Sequence, residues 1–314
     1  MATQHTVAAK PWHHRGLPAR PRTMRPTHLL QLLFLAFIWG TAYLFMRSSV
    51  PSFGPAPMIF LRMSIGAALV LLPLALIRHG PGPLLRDWRV LTWFGVAFTA
   101  VPFLCLGYAA RSISAGLLAV LQSAAPLFAA IVAHFWLREH ITGSRALGLL
   151  IGFAGVGVLV WDKISLTSDA GIAIIVSLAA TAIWGYSSNY ARVRLKHVDP
   201  VVLAAGSLAA TGLALAPLAI GTWPDQMPGP RAWAEVMFLG IASSGLGFVM
   251  YFRLLRTIGA VRTTSVTFLN PIVAMASAAA YLGEPVTPQM VAGCAVILLG
   301  TALVLGLLPL RRRA

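Results

Sequence analysis

AGLLAVLQSAAPLFAAIVAHFWLRE (residues 115–139) and AVRTTSVTFLNPIVAMASAAAYLGE (residues 260–284) are two versions of one segment. Each carries a proline near its middle (Pro126, Pro271) and closes on Leu-x-Glu, as Leu137-Arg138-Glu139 and Leu282-Gly283-Glu284. They lie 145 residues apart, and the same ungapped shift aligns much of the chain. It sets Ile38-Trp39-Gly40 on Ile183-Trp184-Gly185 and pairs Arg47 with Arg192, Pro55 with Pro200, Trp88 with Trp233 and Gly95 with Gly240. Phe103/Phe248, Arg111/Arg256, Gly148/Gly293 and Gly155/Gly300 continue the register. Matched Leu or Ala would carry little weight in so apolar a chain, but matched Trp, Pro and Glu do. The chain is a duplication.

Of 314 residues, 58% are hydrophobic and 10% charged, against roughly 25% charged in soluble domains. So little charge cannot wet a globular surface, and the apolar surface must face lipid. At about 20 residues per crossing, runs punctuated by Pro, Gly and charge predict spans at 28–47, 57–77, 89–109, 114–137, 145–161, 170–191, 200–221, 232–252, 259–282 and 288–309. The expected fold is an all-α integral membrane protein of ten transmembrane helices in two inverted five-helix repeats. A basic N-terminal tail (1–27) precedes repeat 1 (28–161); an external linker (162–169), repeat 2 (170–309) and a basic tail (310–314) follow. Five is odd, so the second copy enters the membrane from the opposite side. Two such halves can each open to one side and expose a central site alternately. The loops are too short to hold a soluble catalytic domain.

The net charge of +16 is not read as a nucleic-acid footprint. Basic residues that bind nucleic acid gather on one folded face, whereas these sit in small groups at span ends. With the N-terminus inside, the inner segments hold such groups as Arg78, Arg86 and Arg89, Arg192, Arg194 and Lys196, and Arg311, Arg312 and Arg313. The outer ends hold only Arg47, Arg111, Lys163 and Arg231. This bias predicts cytoplasmic N- and C-termini, in a bacterial inner (plasma) membrane. The tail has no apolar run, which argues against a cleaved signal peptide; a transit peptide is the lesser alternative, and Met24 is a second candidate start. Cys105 and Cys294 fall inside apolar runs as small hydrophobes, with neither a disulfide framework nor a metal site.

With Trp-Gly in the first helix of each half, the doubled Ala115…Pro126…Glu139 and Ala260…Pro271…Glu284 segments, and Phe60-Leu61-Arg62 early in the second helix, the sequence resembles the ten-span EamA-type branch of the drug/metabolite transporter superfamily. The resemblance covers roughly residues 30–308. It implies a central cavity between the halves and secondary transport, by export or exchange, of a metabolite, amino acid or drug-like solute. Four-span relatives couple protons through an intramembrane carboxylate, but all eight acids here lie in loops or at span ends.

Several residues are candidates to line such a cavity. A mid-helix proline frees the carbonyl four residues earlier, so Pro126 and Pro271 would expose those of Gln122 and Thr267 in broken helices. The bland alternative is a packing kink. Ser177, Thr181, Trp184 and Ser188 fall on one face of span six, and Thr263, Thr267, Asn270 and Ser277 on one face of span nine; such stripes either line a cavity or mark tight helix contacts. Trp39 and Tyr43, one turn apart, would offer aromatic surface to substrate or pack against neighbours. Arg62 is an anion contact or an anchor to headgroups and loop carbonyls, with anchoring ahead because its repeat partner is Ser207. Glu139 and Glu284 are expected as gating or structural elements, each able to pair with an Arg across a gate, for example Glu139 with Arg78 or Arg86. His134 is expected as a hydrogen-bonded side chain rather than a proton carrier. The Gly148/Gly152 face should meet a helix of the same protomer.

The expected partners are a small-molecule substrate and the lipid bilayer, with no nucleic acid, cofactor or metal; a homodimer is left open. Two rivals remain: a receptor or scaffold that binds without flux, and an intramembrane hydrolase using Ser243-Ser244-Gly245. The hydrolase lacks a histidine at the right depth to serve as base.

Overall fold

The computed structural model describes residues 26–161, 168–258, 263 and 265–308. Most of both basic tails, the linker core 162–167 and residues 259–262 at the start of the expected ninth span, with Ala260 and Arg262, lie outside the described residues, as does Met24. Among the described residues all regular structure is helical. Eight helices are long and apolar enough to cross a membrane: α1 Pro26–Phe53, α2 Pro55–His79, α3 Trp88–Ala109, α4 Ala115–Leu137, α5 Gly143–Val160, α6 Asp169–Arg194, α7 Pro200–Gly221 and α8 Pro230–Ile258. Two shorter apolar helices follow, α9 Val266–Leu282 and α10 Pro288–Val304. At 17 residues each they span about 26 Å, slightly less than the roughly 30 Å hydrocarbon layer.

The helix ends follow local chemistry. Ser114, Thr142, Ser168, Asp199 and Thr287 each precede a helix and accept a backbone N–H of its first turn, satisfying donors that lipid cannot. Proline in the first two positions of α2, α7, α8 and α10 costs no hydrogen bond there. Helices α4 and α9 both end on a left-handed residue, Arg138 (φ 55°) and Gly283 (φ 67°). These two are repeat partners, so the second copy uses the residue that the conformation favours.

Packing repeats as the sequence does. Helix α1 runs against α8 and α9, and its counterpart α6 runs against α3 and α4. Helix α2 pairs with α8 as α7 pairs with α3, while α2–α7, α4–α9 and α5–α10 close across the pseudo-twofold. The α5–α10 contact is glycine-lined and lies within the chain, as the Gly148/Gly152 spacing suggests. A Cβ on Gly300 would stand 2.4 Å from the Gly152 nitrogen and 2.6 Å from the Gly148 carbonyl oxygen. Only hydrogen leaves room for that approach.

Regular α-helix is interrupted by π-turns in α2 (Ala67–Leu71), α3 (Val96–Ala100) and α8 (Phe238–Leu246). The last two are related by the repeat, and both face the middle of the bundle. π-Turns redirect side chains and occur often at functional sites.

Candidate functional site

Between the halves lies a cavity of about 490 Å³. Trp39 and Tyr43 of α1, Arg62 of α2, Gln122 of α4, Trp184 and Ser188 of α6, and Thr267 and Asn270 of α9 all line it. Thr181, Pro126 and Pro271, also expected there, are not among its lining residues. Thr181 is fully buried and spends its hydroxyl on its own helix, at the Ser177 carbonyl, 2.8 Å away. Its stripe is therefore split: Ser177 and Thr181 serve packing, while Trp184 and Ser188 reach the cavity.

The two prolines differ. Helix α4 is interrupted at Ser123-Ala124, just before Pro126, and the Ser123 carbonyl accepts from the Thr301 hydroxyl at 3.4 Å. Helix α9 runs unbroken through Pro271. The broken helix expected in both copies is present in one, and Pro271 is a buried packing residue. Near the break, the Gln122 amide donates to the Ser177 carbonyl and hydroxyl. Its Oε1, and Oδ1 of Asn270, are buried with no hydrogen-bond partner among the described residues, although buried acceptors normally find a donor.

Aromatic rings form much of the wall. Trp39 meets Phe248 and Tyr251, and its indole N–H donates to the Ser243 carbonyl in the π-turn of α8 at 3.1 Å. Trp184 packs edge-on against Phe103 at 5.0 Å, and Phe94, Phe98 and Phe252 complete the lining. The Phe103/Phe248 match in the repeat was the available signal for these rings. Phe98 and Tyr251 have no aromatic counterpart, and Ser243 draws attention only as part of the Ser243-Ser244-Gly245 triplet.

Arg62 departs from the anchoring reading. Its side chain is 6% exposed, with Nε donating to Ser244 Oγ at 2.9 Å and Nη2 to Ser243 Oγ at 3.1 Å. Its guanidinium lies 4.6 Å from the Phe103 ring centroid. It holds two hydroxyls of a neighbouring helix, not headgroups or loop carbonyls. The serines of the supposed nucleophile motif are thereby occupied by a cation, not a base.

Charged side chains tie the helix ends at one end of the bundle. There Arg47 donates to the carbonyls of Ala110 and Arg111 at 2.6 and 2.7 Å, and pairs with Glu284 at 3.4 Å. Glu284 Oε2 in turn accepts the Ala115 backbone N–H at the start of α4, at 2.9 Å. Ser48 and Arg231 both donate to the buried carboxylate of Glu235. These contacts tie the ends of α1, α3, α4, α8 and α9 together.

At the opposite end the repeat-related pair is Arg192–Glu139, 2.7 Å, joined by Arg145 at 3.8 Å. The pairing of Glu139 with Arg78 or Arg86 is thus incorrect. Arg86 is taken by its neighbour Asp87, whose carboxyl that hydrogen bond holds below its usual range; Arg78 makes no ion pair among the described residues. His134 Nδ1 lies 2.9 Å from the Glu139 carbonyl, a terminal contact of α4. Lining residues approach this end closely: Ala191 is three residues from the end of α6 and Leu203 three from the start of α7. The first turns of α3 pack through Val90, Leu91 and Phe94 against Tyr190, Ala191 and Leu195 at the end of α6, as the corresponding turns of α8 pack on α1.

Comparison with known proteins agrees with the doubled architecture. The model of the EamA-like transporter family matches residues 27–161 and again residues 171–306. The chain belongs to the EamA-like transporter family. Among EamA-like and related sequences, it is similar to a protein named as an uncharacterized transporter in Archaeoglobus fulgidus (29% identity; 85% of this chain and 94% of that one). It is also similar to the Escherichia coli uncharacterized inner membrane transporter YedA (26%; 78% and 79%), and to a chloroplastic WAT1-related protein of Arabidopsis thaliana (28%; 85% and 67%). A crystal structure of a protein with 23% identity superposes with a TM-score of 0.66 over 90% of this chain and 98% of that one, which establishes the shared fold. An EamA-like chain with these relatives is a membrane transporter embedded in a bilayer.

Proposed function

We propose that this EamA-like protein is a secondary carrier with ten crossings, which moves a small solute by alternating access at the cavity described above. Helices α9 and α10 complete the crossings in this reading, with flanking residues reaching the interfaces. Both termini lie in the cytoplasm, in a bacterial inner membrane. The net direction in this reading is export or exchange.

One observation carries it. An arginine–glutamate pair stands at each end of the bundle, Arg47–Glu284 and Arg192–Glu139, and the two are images of each other under the repeat. At the first end the pair is tied further, with Arg47 on the Ala110 and Arg111 carbonyls just past α3 and Glu284 on the start of α4. At the second, Arg192 holds Glu139 and bonds back to Asn189 of its own helix at 3.0 Å. A pseudo-symmetric protein with a matched ion pair at each end can part either pair in turn, and exchange between the two states exposes the cavity to either side.

The test is counterflow of pooled labelled metabolites into liposomes holding the purified protein, read by mass spectrometry. Uptake that saturates is expected. Trp39→Ala, which removes a cavity wall and the bond to Ser243, should lower uptake with the amount of inserted protein unchanged. Saturable binding with no flux would instead make the protein a receptor.

A further inference from the structure

Arg62 is the one charged side chain among the described cavity-lining residues. It lies about 10 Å along α2 from that helix's first residue, at 1.5 Å per residue, and the partners it has are neutral. Serine hydroxyls accept two of its N–H groups and a phenyl ring lies under its guanidinium, while Nη1 makes no hydrogen bond among the described residues. A cation at membrane depth normally pairs with a carboxylate or with backbone carbonyls. Here the countercharge is missing from a cavity otherwise walled by aromatic rings.

We propose that the solute is an organic anion with a ring-bearing or similarly apolar body, its carboxylate seated on Arg62 and its body between Trp39, Phe248, Phe103 and Trp184. This rests on the carrier reading for the cavity and specifies its cargo. The guanidinium fork matches a planar carboxylate in two parallel N–H···O bonds. With Ser243 and Ser244 orienting it from behind, less freedom is lost on binding. The repeat partner of Arg62 is Ser207, which also lines the cavity, so the site holds one cation and accepts one negative charge.

Three ligands of equal size test this on the purified full chain by calorimetry at neutral pH: 3-phenylpropionate, its neutral amide and 3-phenylpropylamine. The anion should bind about tenfold or more tighter than the amide, the span expected for a charge-assisted hydrogen bond, and the amine most weakly. Arg62→Gln should bring the anion down to the amide, whereas Arg62→Lys should keep part of the preference. A merely structural Arg62 would weaken all three ligands alike. Equal or better binding of the amine, an anion preference that survives Arg62→Gln, or no anion binding at millimolar concentration overturns the proposal. Wild-type protein alone decides the first and last of these if the glutamine variant fails to fold. Anion binding without flux would remove the carrier reading and leave this one standing; flux confined to neutral or cationic solutes would do the reverse.

Discussion

Arg47 does more at its end of the bundle than its repeat partner does at the other. It reaches two carbonyls just past α3 and the Glu284 carboxylate together, and so links three helix ends with one side chain. Arg47→Ala should release that end. In protein whose Cys105 and Cys294 are replaced, a cysteine at Met46, now 1% exposed, should react severalfold faster with a membrane-impermeant thiol reagent. Unchanged reactivity would show that this end is held by packing alone. This pair was legible in part, since the register matched Arg47 with Arg192 and Glu139 with Glu284 at once. Seeing that the matched charges meet required knowing which helix ends are neighbours, and proximity in sequence misled: Arg86 is claimed by the adjacent Asp87. Arg62 was misread for a similar reason, because its acceptors lie some 180 residues away on α8.

Among the elements, α4 and α9 are the most informative pair. Both carry the central proline, yet one is broken and the other continuous. Each copy accommodates its proline differently. Thr301 of α10 answers the Ser123 carbonyl in α4, whereas Pro271 is buried within an intact α9. Pro126→Ala should let α4 close into one helix and stiffen the element beside Gln122. Loss of a conformational preference worth about 1.4 kcal/mol would lower flux roughly tenfold, with thermal stability in detergent unchanged or raised. Pro271→Ala should cost flux much less and stability more. Equal effects of the two substitutions would assign both prolines to packing. Helix positions themselves were legible, because apolar runs ended by proline and glycine mark where a lipid-embedded chain can turn. The π-turns were not: a widened turn responds to tertiary contacts such as Trp39 with Ser243, and leaves no fixed mark in composition.

At the scale of the molecule, the exchange of contacts between halves is what the 145-residue shift foretells. Inversion across the bilayer gives a sharp expectation for labelling. Single cysteines at His140 and Pro285, both exposed and each one residue beyond a repeat-related glutamate, should be modified from opposite sides of the membrane, His140 from the cytoplasm. Modification of both from one side would dismantle the inverted arrangement. The cavity's existence could be inferred from duplication, but how its two ends are tied could not. The two charged ties differ in their further partners, Asn189 and Arg145 at one end and the Ala110 and Arg111 carbonyls at the other, and no match in the repeat foretells those.

The mismatch between Arg62 and Ser207 has a consequence for how such a protein can be made. A homodimer of the first half alone would bring two guanidinium groups into one small space, where they would repel. A homodimer of the second half would bring none. Joining the two unlike halves in one chain lets one carry the charge while the other supplies a neutral wall, so the fused chain is able to recognise an asymmetric guest that neither half could hold by pairing with itself.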